Sequence, residues 1–107
     1  MNSEPHTIEE LAASISGLAR RAVKEYAPLV HAIVCERSQD VRHTEQVLDG
    51  LLDFCFDPEV VVLYKRLCRH YYAVNPTSAI WYANAYRQMW ATGDEKSWTD
   101  SSNRPNP

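Results

Sequence analysis

Two dipeptides, Asp57-Pro58 and Asn75-Pro76, do most to constrain what this chain can fold into. Each sets a side-chain acceptor just before a proline, and a helix tolerates proline at its first position because that N–H has no intrahelical partner. Around these two starts, apolar residues recur every three or four positions, the spacing of one helix face. Only "PLVHAIVCER", residues 28–37, has enough β-branched residues to suggest a strand. No other stretch could pair with it, so it reads as a short, central helix opened by Pro28.

The other elements follow the same logic. Thr7 and Glu10 form a capping box, in which each side chain satisfies a backbone donor of the other. Behind it, Ile8, Leu11, Ala12, Ile15, Leu18, Ala19, Ala22 and Tyr26 make one apolar stripe. Pro28 should end this helix, because the residue before a proline is pushed out of the α region; a kinked continuation is the alternative. Residues 41–55 turn Val47, Leu48, Leu51, Leu52 and Cys55 inward, while Glu45, Asp49 and Asp53 step by four along the other side. The fourth helix buries Val60, Leu63, Tyr64, Leu67 and Tyr71, and the fifth runs from Pro76 to about residue 91, closed by Gly93. The expected architecture is all-α: a compact bundle of about five short helices. It spans residues 7–92, between a flexible segment 1–6 and a disordered polar tail 93–107.

Six of the eleven aromatic residues fall between His70 and Trp90. At about 100° per residue, Ala79, Tyr82, Ala83, Tyr86, Met89 and Trp90 share one side of the fifth helix and, with Tyr64 and Tyr71, make a core seam. Trp81 falls on the far side, near Gln88 and Arg87, where a tryptophan is a favoured interface anchor unless a neighbouring segment covers it. Trp98 raises the same question in the tail.

A net charge of −3 and a pI near 5.7 disfavour binding to nucleic acid through bulk charge. Two outward basic triplets, Arg20, Arg21, Lys24 and Lys65, Arg66, Arg69, keep that function as the alternative. No window has the roughly 18 apolar residues of a membrane span, and the start lacks a signal peptide's pattern. Three cysteines in apolar patterns fit a reducing cytoplasm better than a disulfide framework. His31 with Cys35, and Cys68 with His70, have zinc-ligand chemistry without finger spacing, so no metal or other cofactor is expected. No phosphate loop appears, and no nucleophile stands beside a base. The string from Arg37 to His43 is similar to the Arg-x5-His motif of helical RNA-cleaving domains, but it crosses a predicted turn.

The stretch "NPTSAIWYANAY" resembles the junction of a tetratricopeptide repeat over about a dozen residues, though no second copy follows at about 34 residues. No residue role carries over from it. The expectation is a non-enzymatic helical domain that binds another protein, with a homodimer as a variant of the same idea. Trp81 would anchor it, with Gln88 and Arg87 alongside and Glu45, Asp49 and Asp53 as a steering surface.

Overall fold

A computed structural model of the chain describes residues 7–90. They form four α-helices: α1 (Ile8–Cys35), α2 (Val41–Leu52), α3 (Pro58–Val74) and α4 (Pro76–Met89). The segment 1–6, the polar tail and Trp98 lie outside the described residues. The all-α expectation holds, but the count of five is corrected to four because α1 runs unbroken through Pro28. An interior proline costs a helix about 3 kcal/mol, chiefly through the bond lost to the carbonyl four residues back. Here that residue is Lys24, which is exposed. Beyond the proline, Val30 and Ile33 are buried, each contributing about 1.5–3 kcal/mol that the continued helix keeps. Burial outweighs the proline penalty.

Local chemistry sets the other boundaries. The Thr7–Glu10 capping box is present, and Asp40 accepts from the His43 N–H at 3.0 Å to start α2. Asp57 accepts from the N–H groups of Glu59 and Val60. Asn75 ends α3 and also caps α4 by accepting from Ser78, a one-residue joint between two helices. At the end of α1, Arg37 takes a left-handed conformation with φ 53. Its N–H donates to Val34 O (3.2 Å) and that of Ser38 to Ile33 O (3.0 Å), the pair of bonds of a Schellman motif.

Helix α3 is the hub, packing against α1, α2 and α4. Tyr64, Tyr71, Leu48, Leu51, Leu67, Val30 and Val60 are its fully buried centre. α1 and α2 approach closely at Gly50, where an added Cβ would run into the Tyr26 ring. Gly50→Val is therefore expected to destabilise by about 1–3 kcal/mol through overpacking. Gly50→Val combined with Tyr26→Ala should recover part of that loss, because the obstacle is then gone. Urea denaturation of the three variants checks this.

The aromatic seam forms as expected, except that Met89 is exposed. The stripe of α1 is buried only in part. Ala19 and Ala22 face the bundle, but Ile8, Leu11, Ile15 and Leu18 are 84%, 49%, 47% and 49% exposed. The N-terminal three turns project past the helices that cover the rest of that stripe.

Candidate functional site

Along α2, Glu45 is half-buried and Asp49 exposed, and each carboxylate is hydrogen-bonded to another helix. The Tyr71 hydroxyl donates to Glu45 Oε2 at 2.5 Å, and the Tyr82 hydroxyl donates to Asp49 Oδ1 at 2.9 Å. Both carboxylates thus act as acceptors for core tyrosines, binding α2 to α3 and α4. Burial, with the hydrogen bond to Glu45, pushes the Tyr71 phenol up to about 12; burial and Asp49 push Tyr82 up as well. Asp53 is the exposed C-cap of α2 and is separate from this pairing. A third cross-helix bond joins Trp90 Nε1–H to Leu52 O at 2.8 Å.

Trp81 is 62% exposed, with its ring edge-on to Tyr82 at 4.9 Å between centroids. Arg87 and Gln88 are exposed on the same helix, and Arg87 donates to Asn84 at 3.3 Å. Trp81 is thus an apolar group set among polar neighbours on α4.

The larger uncovered apolar feature is the end of α1. Ile8, Leu11, Ile15 and Leu18 are spaced three, four and three apart, alternating isoleucine and leucine as the a and d positions of a heptad do. Ala12, Ser14 and Ala19 flank this seam, so another helix could approach closely without meeting a charge there.

The members of the second basic triplet lie in different surroundings. Lys65 sits over the Tyr86 ring, 5.8 Å from its centroid. Arg66 and Arg69 instead join Arg37, Gln39 and His70 around an open groove of about 510 Å³ between α1 and α3. Val34, Ala73 and Val74 supply its apolar lining. Arg20, Arg21 and Lys24 are not part of it. Sequence reasoning missed this groove, since it needs the C-terminal halves of α1 and α3 side by side. Arg37 and His43, the ends of the Arg-x5-His string, fall in different elements, past the end of α1 and in the first turn of α2.

Among the described residues, no three His, Cys, Asp or Glu side chains converge as a metal site would require. His31 and Cys35 do touch, with Sγ 3.5 Å from Nε2. Cys35 is exposed, whereas Cys55 and Cys68 are buried and desolvation pushes both thiols up to about 12. Unfolding releases these two thiols to ionise near pH 9, while the native state keeps its protons. The unfolded state then binds fewer protons, so stability falls as pH rises. The urea midpoint is expected to drop between about pH 8.5 and about pH 10.5, by about 2 kcal/mol or more in stability. At neutral pH one thiol per chain, Cys35, should react rapidly with a disulfide reagent.

No described helix is long and apolar enough to cross a membrane. No family model matches the chain, and neither a curated protein nor a solved structure is significantly similar to it.

Proposed function

We propose that this chain is a small protein-interaction domain without catalytic activity, and that a second copy of itself docks on the projecting end of α1. The uncovered seam Ile8, Leu11, Ile15 and Leu18 carries this reading. A contiguous apolar stripe left open on a helix with a complete N-terminal cap is a usual mark of an interface. Self-pairing is favoured by the spacing, which is the same read in either direction. Two antiparallel copies related by a two-fold axis near Ala13 set Ile8 against Leu18 and Leu11 against Ile15, leaving none of the four uncovered. Three turns of helix make a small interface, so association in the micromolar range is expected.

Trp81, with Gln88 and Arg87, serves as a separate anchor for another protein. Glu45 and Asp49 support the fold rather than steer. Nucleic-acid binding through the basic triplets is the second reading, supported only by the clustering of Arg66 and Arg69. Sedimentation equilibrium on the full chain tests the proposal. A concentration-dependent rise from 12.3 kDa to twice that mass is the expected result. A strict monomer up to about 1 mM, where even a millimolar Kd would be visible, overturns it.

A further inference from the structure

The groove between α1 and α3 has a composition that α1 pairing does not explain. Arg37, Arg66 and Arg69 line it with His70, and no carboxylate does. Among the described residues none of these three guanidiniums has a hydrogen bond or ion pair. Three cations lining one groove, with no carboxylate among its described lining residues, repel one another, and a bound anion relieves that repulsion.

Arg37 carries the second observation. It occupies the position just past a Schellman helix end, at φ 53, where glycine or asparagine is the usual residue. A side chain there is strained relative to glycine. An arginine at a strained position, lining the same groove as two further arginines, points to a use of its side chain. The surrounding turn is fixed as well: the His70 imidazole donates from Nε2 to Ser38 O at 2.9 Å, fastening the residues after Arg37 to α3. The rim is therefore held in place before any ligand arrives.

We infer that this groove binds a small phosphorylated molecule of about mononucleotide size. The guanidiniums of Arg37, Arg66 and Arg69 would hold its phosphates, and Val34 and Val74 would lie under its less polar part. Guanidinium forks match phosphate oxygens two at a time. A volume of about 510 Å³ falls within the usual range for small-ligand pockets. An extended nucleic acid is less well served, since Lys65 is engaged by Tyr86 and the Arg20 triplet is not part of the groove.

The test is isothermal titration of the full chain with inorganic pyrophosphate, a nucleoside triphosphate and sulfate at matched ionic strength, beside a single-stranded oligonucleotide. Pyrophosphate and the triphosphate should bind, and sulfate at least about 10-fold more weakly. Arg66→Gln with Arg69→Gln should weaken both by at least about 10-fold with the helical circular dichroism unchanged. Arg20→Gln with Arg21→Gln should alter affinity less than about 2-fold. Arg37→Gly is the most telling variant: it relieves the strained backbone, so the melting temperature should rise by about 4 °C while affinity falls. No binding of either phosphate compound overturns the inference, as does equal binding by the groove variants. An oligonucleotide that binds more than about 10-fold tighter than the triphosphate overturns the small-ligand assignment in favour of a polymer.

Discussion

Tyr71→Ala is expected to remove about 3–5 kcal/mol of stability, the range for deleting a fully buried aromatic ring. Small domains have only about 5–15 kcal/mol in total, so the variant should be largely unfolded at moderate temperature. Tyr71 is 0% exposed, on the hub helix, and meets the Tyr82 ring at 6.4 Å between centroids. Its hydroxyl reaches out of the core to Glu45 on α2. Two contributions can thus be separated. Tyr71→Phe keeps the ring and leaves a half-buried carboxylate that water can reach, for a loss of about 1 kcal/mol. Glu45→Gln keeps an acceptor and should cost less still. If Tyr71→Phe proved as damaging as Tyr71→Ala in urea denaturation, the hydrogen bond rather than the ring would hold this part of the fold.

The second large effect concerns association. Replacing Leu11 and Ile15 together with glutamate sets charges at the centre of the proposed antiparallel seam. Each glutamate would face one from the second copy, adding like-charge repulsion to lost apolar contact. The dimer Kd should rise at least about 100-fold, a change of about 2.7 kcal/mol. Folding of the single chain should change little, because both positions are already about half exposed in one copy and glutamate is a good helix former. Loss of association with retained helicity separates an interface residue from a core residue.

The helix starts were legible because they rest on local chemistry. Thr7 with Glu10, Asp57 with Pro58 and Asn75 with Pro76 each announce a start through adjacent residues. The course through Pro28 was not, since a distant fact decides it: whether burying Val30 and Ile33 outweighs the local penalty. The α1 stripe was visible, but periodicity reports which residues share a face and not whether anything covers that face. The hydrogen bonds of Glu45 and Asp49 were not legible, because spacing cannot foretell that Tyr71 and Tyr82 reach across from other helices. The arginine groove joins residues far apart in the chain. Its one sequence-level trace is Arg37 standing where a helix end favours glycine.

Sedimentation equilibrium of the full chain and of the Leu11→Glu, Ile15→Glu variant, over a range of concentrations, decides whether the exposed end of α1 pairs with a second copy. The natural sequence should show a reversible monomer–dimer equilibrium and the variant a monomer of 12.3 kDa, both with the same helical circular dichroism. Identical association by the two proteins, or none by either, would contradict that pairing.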